Sequence, residues 1–179
     1  MYLLGLYLGD GCLSRHPRGV YRLRVTLDHA YPGIIRACAD AIESVLPEGR
    51  RASTTPRKGC CDVNAYSKTW PCLLPQHGPG RKHHRLIVLT PWQEALVDRH
   101  PEQLLRGLIH SDGCRFMNTG TNWRNPRYSF SNRSADIRLI FREGCERLGL
   151  RCTASPHTVY VSRKADVARL DEFIGPKAY

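Results

Sequence analysis

Apolar and polar residues alternate with period two in two separated stretches of the chain. Leu23, Val25 and Leu27 are interleaved with Arg22, Arg24, Thr26 and Asp28; Tyr128 and Phe130 are interleaved with Arg127, Ser129 and Ser131. This alternation predicts strands of sheets with one buried and one polar face. Each stretch follows an apolar segment of about ten residues that ends in Asp-Gly, at Asp10-Gly11 and at Asp112-Gly113. Both segments read as helices stopped by a glycine in a left-handed turn. Further helices are expected near residues 33–46 and 134–148. Strands are expected around Arg51 to Thr55 with Cys61 to Tyr66, and around Arg151 to Ser155 with Thr158 to Ser162. A last helical piece closes each series, so the order αββαββα occurs twice.

The two series are copies. Leu3-Leu4-Gly5-Leu6-Tyr7-Leu8-Gly9-Asp10-Gly11-Cys12 matches Leu105-Arg106-Gly107-Leu108-Ile109-His110-Ser111-Asp112-Gly113-Cys114 at an offset of 102. At the same offset Ile35-Arg36 matches Ile137-Arg138, Leu46 matches Leu148 and Ala52-Ser53 matches Ala154-Ser155. A repeat this long is a duplicated half-domain; solenoid units run to roughly 20–50 residues. The expected architecture is therefore α+β, with half-domains at 1–76 and 101–179. Between them lies a linker, 77–100, that carries glycine and proline breakers and a short helix around Pro91 to Arg99.

Composition adds a partner. The formal net charge is +11, and Arg outnumbers Lys 22 to 5. Such an excess repels itself and favours a polyanion, and the planar guanidinium suits phosphate and guanine. No apolar run reaches the roughly 18 residues of a membrane span, and the apolar start is too short for a signal peptide, so a cytoplasmic setting is expected; the arginine excess fits a GC-rich genome and hints at bacteria or their mobile elements. Eight cysteines without a C-x-x-C pair are expected to be free thiols rather than disulfides. Cys60, Cys61, Cys72, His77, His83 and His84 fit no standard zinc spacing.

Chemistry concentrates at the two Asp-Gly tips. Gly5 and Gly9, like Gly107 and Ser111, lie four apart on one helix face, and small residues there let two backbones approach closely. The tips then bring Asp10 and Asp112 together at helix C-termini, where carboxylates are electrostatically disfavoured. Two carboxylates and nearby carbonyl oxygens form a hard oxygen site suited to Mg²⁺ or Mn²⁺. A solvated aspartate at each turn is the plainer alternative, and the duplication weighs against it.

The segments LLGLYLGDG and LLRGLIHSDG resemble the two motifs of monomeric LAGLIDADG homing endonucleases. The resemblance covers nearly the whole chain, although Tyr7, Leu8 and Arg106 depart from the motif. It implies a pseudo-twofold monomer whose two antiparallel four-stranded sheets form a saddle on double-stranded DNA. It also implies Mg²⁺-dependent cleavage of both strands, with Mn²⁺ able to substitute, leaving short 3′ overhangs. Catalytic Asp10 and Asp112, with main-chain oxygens of Gly9 and Ser111, are the implied metal ligands. Lys82 and Lys177, which end matching Gly-Pro segments, are the implied basic residues near the centre. The polar strand faces should contact DNA through Arg22, Arg24, Thr26, Arg51, Ser53, Thr55, Asn64 and Tyr66. The second-half set is Arg115, Arg127, Ser129, Ser131, Arg151, Thr153 and Ser155. A non-cleaving DNA-binding regulator and an intron RNA maturase are the rival readings on the same scaffold.

Overall fold

The computed structural model describes residues 1–175. The first half runs α1 (Tyr2–Asp10), β1 (Gly11–Arg15), β2 (Tyr21–Asp28), α2 (Pro32–Glu43), β3 (Ser53–Arg57), β4 (Cys60–Ser67) and a single turn α3 (Trp70–Leu73). After α4 (Pro91–Arg99), the second half runs α5 (Pro101–Asp112), β5 (Gly113–Gly120), β6 (Trp123–Ser131), α6 (Ala135–Arg147), β7 (Cys152–Ala154), β8 (Thr158–Val161) and α7 (Lys164–Ile174). Each half forms one antiparallel four-stranded sheet, in the orders β1-β2-β4-β3 and β5-β6-β8-β7. The architecture is α+β with the order αββαββα twice. No described helix is long and apolar enough to cross a membrane.

Strand parity decides which residues enter the core. Leu23, Val25 and Leu27 of β2 and Val63 and Ala65 of β4 are buried beneath the helices, as are Tyr128, Phe130, Val159 and Val161 in the second sheet. The rings of Phe130 and Phe141 stack at 4.6 Å between centroids, fixing α6 on its sheet. The two hairpins differ in length. Gly11 pairs with Val25, whereas Gly113 pairs with Phe130 further along its strand, so within the first hairpin the structural correspondence departs from the offset of 102.

The halves meet along α1 and α5. A Cβ on Gly5 would lie 2.5 Å from the Leu104 carbonyl oxygen, and one on Gly107 would lie 2.2 Å from that of Tyr2. Backbone therefore rests on backbone. A buried hydrogen-bond chain secures the same seam. His110 Nε2 lies 2.7 Å from the Ile174 carbonyl, which can only accept, so this nitrogen carries the proton. The Tyr2 hydroxyl shares a hydrogen bond with Nδ1 at 2.8 Å, tying α1, α5 and α7 together.

The glycines that end the motif helices act differently from the expectation. Gly11 has φ −87° and ψ 151°, and Gly113 has φ −105° and ψ 167°; both are extended, and neither is left-handed. Each helix passes straight into a strand. Glycine is required by crowding, because a Cβ at Gly11 would lie 2.5 Å from Tyr7 Cα and one at Gly113 2.7 Å from Ile109 Cα.

Candidate active site and nucleic-acid interface

The crossing of α1 and α5 delivers both acidic tips to one place. A Cβ on Gly9 would lie 2.1 Å from the Ser111 hydroxyl and 3.0 Å from Asp112 Oδ2, so the end of one helix abuts the carboxylate of the other. Asp10, Ser111 and Asp112 line a common cavity of about 420 Å³. Its rim comes from both sheets, through Thr26, Asp28 and Cys60 on one side and Cys114, Ser129 and Ser131 on the other. A second cavity, of about 440 Å³, flanks Asp112 and is lined by Gly9, Lys82, His83, Asn132 and Arg133 among others.

Lys82 reaches this centre from the linker. Its ammonium donates to the carbonyls of Tyr7, of Leu8 at 3.0 Å and of Gly9 at 2.9 Å, the last turn of α1. It also lies 4.9 Å from the centre of the Tyr7 ring. Burial pushes its pKa down to about 8, while the charges of Asp112 and then Asp10 pull the other way, so it stays mostly cationic at neutral pH. It offsets the negative end of the helix, where the aspartates add further charge. The loop that carries it is closed by Arg85, whose guanidinium donates to the carbonyls of Gly78, Pro79 and Gln76. Lys177, the matching residue of the second half, lies outside the described residues.

Asn132, just beyond β6, was not among the residues expected from the sequence. Its side-chain amide donates to Asp112 Oδ2 at 2.6 Å. An asparagine two positions before the helix-capping Ser134 is a legible turn signal. Its contact with a helix tip twenty residues upstream is not.

No protein-family model matches the chain, and no curated protein sequence does. Solved structures do match in fold. I-DmoI in complex with DNA and Mn superposes with a TM-score of 0.65 over 99% of this chain and 96% of that chain, at 15% identity. I-WcaI bound to its DNA recognition sequence gives 0.59, over 99% and 80%, at 14% identity. The N-terminal LAGLIDADG domain of DUF199/WhiA gives 0.57, over 99% and 81%, also at 14% identity. The fold is that of the LAGLIDADG homing endonucleases. This assignment agrees with the two motif segments, which occupy α1 and α5, the helices packed together where the two halves of this chain meet.

On that fold the outer sheet faces are the surfaces left uncovered by helices, and strand register assigns their residues. In the first sheet Arg22 opposes Tyr66, Arg24 opposes Asn64, Thr26 opposes Asp62, and Ser53 and Thr55 oppose Asn64 and Asp62 from the other side. All share one face. In the second, Ser129 opposes Tyr160, Ser131 opposes Thr158, and Thr153 opposes Tyr160. Cys12, Ser14, Asp62, Phe116, Asn118, Thr158 and Tyr160 stand on the same faces by register and were missed. Extending the alternation across neighbouring strands would have found them.

Several expected contacts are engaged within the protein. Asn64 is 3% exposed; its Oδ1 accepts from Arg22 Nε at 2.9 Å and Nη2 at 2.6 Å, which orders Arg22 on the surface. Thr26 donates to buried Asp62 at 2.7 Å, and Arg57 pairs with the same carboxylate at 2.7 Å. The Arg127 guanidinium lies 5.0 Å from the centre of the Tyr160 ring. Arg51 precedes β3 and pairs with Glu43 of α2 at 2.7 Å, so it flanks the face instead of standing on it. Arg151 and Ser155 likewise flank β7, and Ser155 forms the turn to Thr158.

Arg115 is a clear correction. It opposes Tyr128, so it points to the helix side of the sheet. There it makes a two-pronged pair with Asp171 of α7, at 2.7 and 2.9 Å, and the Tyr128 hydroxyl donates to the same carboxylate at 2.7 Å. The sequence reading places Arg115 on the polar strand face; the parity set by Gly113 puts it on the other side.

Proposed function

We propose that the protein is a site-specific endonuclease that cuts both strands of double-stranded DNA, leaving short 3′ overhangs. It works as a single chain whose halves, 1–76 and 101–179, are joined by 77–100. The observation that supports this most is the shared cavity. Both carboxylates, from the tips of two packed helices, open between the outer faces of both sheets.

The donor set fits a divalent cation. Asp10, Asp112 and the main-chain oxygens of Gly9 and Ser111 are all hard oxygen ligands, matched to Mg²⁺ or Mn²⁺. Among the described residues no group of three or more His, Cys, Asp and Glu gathers to cage a metal. Mg²⁺ commonly binds through one or two carboxylates, with water and phosphate oxygens completing its shell. The Gly9 carbonyl already accepts from Lys82 and keeps a second lone pair for a cation. A bound divalent cation supplies polarisation of phosphate oxygens and a water of lowered pKa. Asp10 and Asp112 would hold it at the seam between the halves. Lys82 places positive charge where negative charge grows on the phosphate. The outer faces, through Arg22, Arg24, Thr26, Ser53, Thr55 and Tyr66 and through Arg127, Ser129, Ser131 and Thr153, form the saddle that reads the major groove. An arginine held bidentate to guanine discriminates by roughly 1–3 kcal/mol.

The test is incubation of the protein with a randomised DNA library in Mg²⁺, in Ca²⁺ and in EDTA, with sequencing of new ends. Cut ends that need Mg²⁺ and vanish in Asp10→Asn and Asp112→Asn, while both variants still shift DNA, are expected. Binding without cutting under every condition favours a regulator, the reading to which the likeness with the WhiA domain lends support.

A further inference from the structure

We infer that Asn132 is the positioning residue for Asp112, clamping its carboxylate in one orientation so that the second-half end of the acidic seam is pre-set for a divalent cation. The inference rests on the proposed role of Asp112 as a metal ligand.

Every polar group of Asn132 is committed. Its backbone N–H donates to the His157 carbonyl at 3.0 Å, one step beyond the β6–β8 ladder. Its own carbonyl accepts from Arg138 at 2.5 Å. Its side-chain Oδ1 accepts from the Ser134 N–H at 2.8 Å. That N–H can only donate, so the atom facing it must be the oxygen. The atom 2.6 Å from Asp112 Oδ2 is therefore the NH₂ group, a donor. The residue is held by two contacts through its backbone and one through its side-chain oxygen, and its NH₂ group makes the fourth contact, to the carboxylate. A ligand held against a rigid support loses less freedom when it binds, which is how outer-shell hydrogen bonds raise metal affinity.

The first half is built otherwise at the matching place. Counting along the ladder from Val25 and Phe130, the partners of Gly11 and Gly113, the residue equivalent to Asn132 is Leu27. Leu27 is buried and has no polar group to offer a carboxylate. The position that supplies an amide to the carboxylate in the second half is thus apolar in the first, although the motif is duplicated. Asn132 also has a purely structural duty in the turn before α6, and a test must separate the two.

The experiment titrates the full chain with Mn²⁺ and follows the free-ion signal by electron paramagnetic resonance, with thermal melting of each variant. Asn132→Ala removes both duties. Asn132→Ser keeps a hydroxyl that can accept from the Ser134 N–H but is too short to reach Asp112. Both are expected to weaken Mn²⁺ binding roughly tenfold, with the Ser variant melting close to the parent. Asp112→Asn should weaken binding at least as much. Unchanged affinity in both Asn132 variants alongside loss in Asp112→Asn would overturn the inference and leave the proposed function standing. So would loss in Asn132→Ala with parental affinity in Asn132→Ser, because the turn alone would then account for the residue. Undiminished Mn²⁺ binding in Asp112→Asn would instead remove the metal role of the aspartate, and the inference with it.

Discussion

Gly107 lacks a side chain because the Tyr2 carbonyl occupies the place where one would go. The obstructing atom is backbone, so no rotamer change can make room, and the helices must part. Gly107→Ala is expected to destabilise the fold by about 1–3 kcal/mol, read from urea denaturation midpoints. Lys82 is the other residue whose surroundings dictate its role. Its three donors are spent on the end of α1, and it feels both aspartates. Lys82→Met should slow single-turnover cleavage in Mg²⁺ by roughly 10² while weakening DNA binding much less. A rate equal to that of the parent would remove the lysine from the chemistry.

Among the elements, β5 and α7 are coupled through Arg115, Asp171 and Tyr128. The Arg115 guanidinium, helped by the Tyr128 hydroxyl, holds the Asp171 carboxyl below the ordinary value of 3.8, against a smaller opposing effect of burial. A carboxylate whose folded pKa is depressed adds stability that is complete above its unfolded pKa and is lost as pH falls through the folded one. The melting temperature of the parent should therefore exceed that of Asp171→Asn at neutral pH, and the gap should narrow once pH drops below about 4. A gap independent of pH would deny the charge pair this part. The pair is partly exposed, so the effect is modest. Element parity also separates the arginines of the outer faces from the rest: Arg24 shares its face with the polar residues of β4, whereas Arg115 is turned inward by one position.

At the scale of the molecule, a net charge of +11 and two outward polar sheet faces would make the proposed association with DNA a counterion-release event. Binding should weaken linearly on a plot of log affinity against log salt. Arg24→Ala should weaken preferred sequences more than random DNA if the residue reads a base; equal weakening, with a slope shallower by about one, would make it a phosphate contact. Duplication makes the halves alike in element order, and the differences between them carry the asymmetry. The second hairpin is longer, Asn132 stands where the first half has Leu27, and β7 is short.

Period-two alternation and the repeated Asp-Gly segment were enough to read α+β, the doubled αββαββα order and the central packing of α1 on α5. These are local or repeated signals, and the physics that imposes them acts within a few residues or at one repeated seam. The tertiary structure alone decided the rest. The extended conformation of Gly11 and Gly113 answers to crowding by Tyr7 and Ile109. The inward turn of Arg115 follows from which face of its sheet the helices cover. The contacts of Lys82 and Asn132 join segments distant in sequence. Such contacts depend on where the chain returns in space, and a pattern along the chain has no term for that.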